Sequence, residues 1–122
     1  MSPTKQKSIE NGRAKAAYGF VEEVLKQSYS DEYKSYVKNL PPLIQNNGLG
    51  NAVAFINSKD KDAYNKIYQQ LEGWLQKKGL IEKKLMKEIT EMESGKYRQV
   101  TRETLSLLNW WRRFADGMID TE

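Results

Sequence analysis

Apolar side chains recur along most of this chain at intervals of three and four residues, the spacing that places them on one face of an α-helix. Ile9, Ala16, Ala17, Phe20, Val21, Val24 and Leu25, with Arg13 in the same register, predict a long first helix running to about Gln27. Ser2-Pro3 reads as its start, because a Ser cap accepts a free backbone N–H and Pro has none to lose in the first turn. Ser30 reads as the cap of a second helix. Asp31 and Glu32 lie where carboxylates favour the positive end of the helix dipole, and Tyr33, Tyr36, Val37 and Leu40 form the buried side.

The stretch LPPLIQNNGLGNAVAFINSK, from Leu40 to Lys59, interrupts this regularity. Pro41 and Pro42 each lack an N–H and crowd the preceding turn, which predicts a kink or a fresh short helix through Leu43, Ile44 and Gln45. Asn46-Asn47-Gly48 reads as an exit with Gly48 in a left-handed cap. A third helix then begins at Gly50, with Leu49, Val53 and Ile56 on one stripe. Ser58 and Asp60 are candidate caps for a fourth helix bearing Ala63, Ile67, Leu71, Trp74 and Leu75, with Gly79 as its exit. Leu80, Ile81, Leu85, Ile89 and Met92 predict a shorter fifth helix ending near Ser94-Gly95. From Lys96 a last long helix carries Val100, Thr104, Leu107, Leu108, Trp111, Phe114, Ala115 and Met118 at core spacing. No stretch alternates with a period of two. The expectation is an all-α protein: residues 1–122 as a single compact bundle of about five to six helices, the first and last of them long.

Composition narrows the chemistry. The 122 residues contain no Cys and no His, which removes disulfides, thiolate zinc sites, cysteine nucleophiles and imidazole bases. Carboxylates, Lys and Tyr remain for acid–base work, and no carboxylate constellation emerges from the spacing. Glu22-Glu23 and Glu91/Glu93 read as surface. The expectation is a protein that is not an enzyme and holds no cofactor. No apolar run approaches the ~20 residues that span a bilayer, and no secretory signal is evident, so a cytoplasmic protein without membrane contact is expected. A net charge of +4 favours anionic partners only modestly, because most Lys have acidic neighbours at helical spacing.

Two motifs bear on ligand binding. Gly48-Leu49-Gly50 lacks the preceding strand and the Gly-Lys-Ser/Thr spacing of a phosphate loop, so it reads as a turn. Asn109-Trp110-Trp111-Arg112-Arg113-Phe114 is the densest aromatic and basic cluster; Trp111 and Phe114 fall toward the core stripe, Trp110 and Arg113 well around the helix. Arg98, Arg102, Asn109 and Arg113 share a polar face. Such a row can meet phosphates, or it can pair with Glu93, Glu103 or Asp116 and shield the core; the residues alone favour neither.

Taken together, RAKAAYGFVEEV, LPPLIQNNGLGNAVAFINSK, AYNKIYQQLEGWL and YRQVTRETLSLLNWWRRFADG resemble the small helical subunit of the type III-B CRISPR effector, the fifth-named protein of the Cmr complex. The order and spacing of NGLG, AF, SK, AY, WL and LNWxRRFA carry the resemblance over nearly the whole chain. It implies a non-catalytic, all-helical subunit of an antiviral ribonucleoprotein, packed against neighbouring copies of itself, the RNA-binding backbone subunit and the large polymerase-like subunit, beside guide RNA and target RNA. Within that setting Arg13, Lys15, Lys59, Arg98, Arg102, Arg112 and Arg113 are the candidate phosphate contacts, chosen from charge and helix position. Two other classes compete. A free-standing DNA-binding regulator with a helix-turn-helix at NNGLGNAV would need base-reading side chains where this sequence has Ala, Val, Phe and Ile. A helical protein–protein adaptor would differ only in leaving the basic faces free of nucleic acid.

Overall fold

The computed structural model describes residues 3–120, with side chains from Lys7 onward; Ser2, the expected first cap, lies outside them. The described residues form six helices and no strand: α1 (Pro3–Glu22), α2 (Ser30–Asn47), α3 (Leu49–Ser58), α4 (Asp62–Lys77), α5 (Leu85–Glu91) and α6 (Ser94–Met118). Helix α6 packs along α1 and along α2; α3 and α4 pack on α2 and on each other, and α5 on α3. All six helices contribute to one apolar cluster, in which Tyr33, Leu107, Leu108 and Trp111 are fully buried. Burying a Leu-sized side chain contributes about 1.5–3 kcal/mol, so the stripes read from the sequence supply the main driving force.

The first helix stops earlier than its apolar stripe predicts. After Glu22 the backbone tightens: Val24 N–H donates to Val21 O at 3.0 Å and Gln27 N–H to Val24 O at 3.0 Å. With three residues per turn, positions three apart align, so Val21 and Val24 stay on the core side while Leu25 rotates out. Leu25 is 40% exposed instead of joining the core. The expected side-chain caps also shift. Tyr29 and Lys61 occupy the positions before α2 and α4, neither with a side-chain cap bond, and Ser58 turns back to donate to Phe55 O at 2.8 Å.

Pro41 and Pro42 lie inside α2, which continues through them to Asn47 without a fresh helix. Their missing N–H groups remove the helical partners of Val37 O and Lys38 O. At the corner, Gly48 alone separates α2 from α3, donating to Ile44 O at 2.7 Å and accepting from Ala52 N–H at 3.1 Å. Its φ of 85° and ψ of 157° are not the left-handed cap expected but an extended positive-φ conformation that is essentially restricted to glycine. Helix α3 begins with no cap of its own. Tyr97, at the start of α6, supplies it, its hydroxyl accepting the Gly50 N–H at 2.8 Å.

Gly79 ends α4 as expected, with φ 71°. Leu80 N–H reaches Leu75 O at 2.9 Å and Gly79 N–H reaches Gln76 O at 3.0 Å, the paired bonds of a Schellman exit. Residues 80–84 are not helical, so the fifth helix starts at Leu85 rather than at Leu80. Its first N–H groups are met from elsewhere, Glu72 accepting from Leu85 at 2.9 Å and Tyr68 from Met86 at 3.0 Å, while Glu88 reaches back to accept from Lys83, just before the helix, at 2.6 Å. The last helix begins at Ser94, two residues before Lys96.

Candidate nucleic-acid interface

Helix α6 buries Val100, Thr104, Leu107, Leu108, Trp111 and Ala115, which leaves the opposite side to solvent. Arg98, Arg102, Leu105, Asn109, Arg112 and Asp116 follow one another there at three- and four-residue steps, so they form a single strip along the helix. Arg98, Arg102, Arg112 and Arg113 are all exposed, and none makes an ion pair within the described residues. Neither Glu93 nor Glu103 holds them. Asp116 is engaged instead from α2, by Lys38 at 2.9 Å and Lys34 at 3.9 Å. The hydrogen bond from Lys38, aided by the charges of Lys38, Lys34 and Arg112, holds its carboxyl below the ordinary range.

Two shallow grooves flank the strip. One, of about 350 Å³ between α2 and α6, is bounded by Lys38, Pro42, Gln45, Asn109 and Arg112. The other, of about 450 Å³, lies on the far side of α6 with Lys78, Gln99, Arg102 and Ser106 along it. Lys38 was not legible as part of this surface, because only the packing of α2 on α6 brings it beside Arg112; its one local signal is the Lys34/Lys38 pair at helical spacing.

Arg13 differs from the other candidates. Its Nε and Nη2 bond both oxygens of Glu103 at 3.0 and 2.9 Å, and its Nη1 bonds Glu10 at 2.6 Å, which fastens α1 to α6. Glu103 also accepts from Trp74 Nε1 at 3.1 Å. Burial pushes the Glu103 carboxyl up, but the bonds from Arg13 and Trp74 outweigh it and hold the group below its usual 4.5. A carboxyl lowered by folding stabilises the protein above its unfolded pKa and loses that contribution as pH falls through the folded value. Melting temperature should therefore drop on acidification below about pH 4.5, more steeply for the native protein than for Glu103→Gln, which has no charge to lose. Thermal melts of the two proteins from neutral pH downward check this; equal slopes would assign the acid sensitivity to other carboxyls.

Lys15 and Lys59 lie away from the strip. Lys15 is exposed on α1, and Lys59 sits over the Phe55 ring with Nζ 4.8 Å from its centroid. Trp110, expected well around the helix, is half-buried and donates through Nε1 to Glu10 at 2.8 Å. Glu23, read as plain surface, accepts from Lys66 at 2.9 Å and from the buried Gln70 at 3.1 Å. Among the described residues there is no group of three or more Asp or Glu placed to hold a metal ion, and no helix long and apolar enough to cross a membrane.

The fold and its surface define a small, basic, all-helical protein whose long last helix presents unpaired arginines between two shallow grooves. The family model described as CRISPR-associated protein (Cas_Cmr5) matches residues 9–118, and the chain belongs to this Cmr5 family. It is 34% identical over 107 residues to the CRISPR system Cmr subunit Cmr5 of Thermus thermophilus, covering 88% of this chain and 92% of that one. It is also similar to the crystal structure of a CRISPR-associated Cmr5 family protein from Thermus thermophilus, with a TM-score of 0.80 at 30% identity, over 92% of this chain and 97% of that chain. The family expected from NGLG, WL and LNWxRRFA is the family found.

Proposed function

We propose that this protein is a non-catalytic subunit of a Cmr ribonucleoprotein, in which the arginine strip of α6 lies along the phosphates of guide or target RNA. The observation that carries the reading is that Arg98, Arg102, Arg112 and Arg113 stand exposed without carboxylate partners among the described residues, while the neighbouring acids Glu103 and Asp116 are engaged by Arg13 and by Lys38. An unpaired guanidinium presents its donors in a fork that matches a phosphate, and a row of them gives affinity without reading sequence. Base pairing between guide and target supplies the specificity. Lys38 extends the strip across the α2–α6 groove, and Lys15 and Lys59 offer outlying contacts. Other faces meet the backbone subunit, the large subunit and neighbouring copies in a head-to-tail array. The DNA-reading alternative is disfavoured by α3, whose ten residues include neither Arg nor Lys.

The test is RNA affinity as a function of salt, measured on the native chain and on the triple substitution Arg98→Ala, Arg102→Ala, Arg112→Ala, free and in the assembled complex. Each phosphate contact removed should lessen the slope of log K against log salt by about 0.7 for single strands. A reduction of roughly 2 is expected for the triple variant if all three engage. An unchanged slope and affinity would leave a protein–protein adaptor as the better reading.

A further inference from the structure

Beside α6, on its α1 flank, three aromatic rings meet at the surface. Tyr18 packs edge-on to Phe114 with centroids 5.6 Å apart, and Trp110 stacks on Phe114 at 6.1 Å with 23° between the planes. Tyr18 is 46% exposed, the most of any large hydrophobic side chain described, and Trp110 and Phe114 are half-buried. The core does not need this ring: Ala17 and Val21 fill the buried face of α1 on either side of it. Lys15 lies one turn before Tyr18, and Arg113 one turn after Trp110; both are exposed and neither makes an ion pair among the described residues. Of the nearby acids, Glu10 is bonded to Arg13 and Trp110, and only Glu22 has no such bond among the described residues.

A second aromatic group shows that such rings are not by themselves enough. Tyr36 stacks on Tyr64 at 3.7 Å, with Phe55 against it and Lys59 over the Phe55 ring, but there the Tyr36 hydroxyl bonds Glu32 and Asp60 and Asp62 precede Tyr64, so the cation stands among carboxylates. Aromatic faces beside unpaired cations suit a polyanion with flat bases; aromatic faces among carboxylates do not. A protein covering Tyr18 would have to desolvate Lys15, a residue type depleted at protein interfaces.

We propose that the Tyr18–Phe114–Trp110 row is a stacking platform for unpaired RNA bases, with Lys15 and Arg113 holding the flanking phosphates. This rests on the RNA-binding reading above and adds to it a preference for single-stranded over paired RNA, since bases within a duplex have no free face to offer.

Fluorescence anisotropy of the full chain with a single-stranded oligouridine and with an RNA duplex of equal length tests it. Tyr18→Leu should weaken single-strand binding about tenfold and leave duplex binding unchanged, whereas Tyr18→Phe keeps both. Because Tyr18 is largely outside the core, melts of both variants should match the native protein, which separates a stacking loss from misfolding. Equal loss on both RNAs, or no loss on either, overturns the platform; if the α6 triple variant still loses its salt slope, the phosphate reading survives that failure. Loss of co-purification with other Cmr subunits without any change in RNA affinity assigns the row to protein docking and overturns it. Absence of RNA binding by the native chain, free and assembled, overturns both readings.

Discussion

Gly48→Val should lower the stability of this protein by about 3 kcal/mol or more, through two effects that act together. At φ 85° and ψ 157° the backbone occupies a region where a Cβ collides with its own flanking peptide groups, and a β-branched side chain is the worst case. A Cβ built there also stands 3.2 Å from the Tyr97 hydroxyl, which is held in place by its bond to Gly50 N–H. Relief by backbone rotation is blocked, because Gly48 N–H and C=O are both engaged, in α2 and α3 respectively. A loss of this size corresponds to roughly 10 °C or more in melting temperature for a domain of this length. Gly12→Val, at a helical glycine with open space around its Cβ position and no positive φ, is the control: it should change stability by about 0.5 kcal/mol or less, because Val is a slightly better helix former than Gly. Equal melting temperatures for the two variants would refute this account of the corner.

Tyr33→Phe should be the second costly change, although it removes a single oxygen. Tyr33 is fully buried, and burial pushes its hydroxyl above the ordinary 10.0, so it remains a neutral donor and acceptor at all working pH values. It accepts from Trp111 Nε1 at 2.8 Å and donates to Gln70 Oε1 at 2.6 Å, while Gln70 Nε2 donates onward to Phe20 O at 3.0 Å. These bonds join α6, α2, α4 and the end of α1, and no buried side-chain polar atom among the described residues lacks a partner. Removing the hydroxyl strands the indole N–H and the amide oxygen in an apolar core, each at about 1–3 kcal/mol, for a total of roughly 2–6 kcal/mol. Denaturant melts of Tyr33→Phe, Gln70→Leu and the double variant provide the check. Because the two side chains share a bond, the double variant should lose less than the sum of the singles, with a coupling of about 0.5–3 kcal/mol. Strict additivity would mean that the network is not a unit.

These two sites show where reading the chain succeeded and where it stopped. Gly48 was visible as a conformational exception, because Asn-Asn-Gly between two apolar stripes has few other uses. Its actual dihedral angles were not visible, since they depend on how closely α3 follows α2 and on Tyr97 arriving from the far end of the chain. Tyr33 and Trp111 were visible as core residues by their spacing, but their bond to each other spans 78 positions. The end of α1 departs from the helical stripe for a related reason. Val21, Val24 and Leu25 fit a helical stripe, and a tighter turn that keeps only the first two inside leaves no local mark. Residues 80–84 fit one too, yet the carboxylates of Glu72 and Glu88 and the hydroxyl of Tyr68 satisfy the N–H groups around the start of α5 and let it begin late.

The candidate interface divides in the same way. That Arg98, Arg102, Asn109 and Arg113 lie on a polar face of α6 was legible, because helical periodicity separates that face from the buried stripe; Arg112, chosen from charge, is exposed beside them. Whether each was paired could not be read, since ion pairs depend on what the neighbouring helices carry. Glu103 was an open choice as a partner for the α6 arginines; packing gave it to Arg13, 90 positions away, and gave Asp116 to Lys38. The resulting unpaired strip is a property of the assembly of helices, not of α6.

By itself, then, the sequence determined the helical class, most of the buried stripes, the exit at Gly79 and membership of the Cmr5 family, all of which rest on residue identity and on spacing within a few turns. Tertiary packing alone decided which charges are neutralised, which hydroxyl caps α3, where α1 and α5 break, and that Tyr18, Trp110 and Phe114 share one surface. The physical reason is range: periodicity is a short-range consequence of 3.6 residues per turn, whereas a hydrogen bond or ion pair forms wherever the folded chain brings donor and acceptor within about 3 Å, at any separation along the sequence.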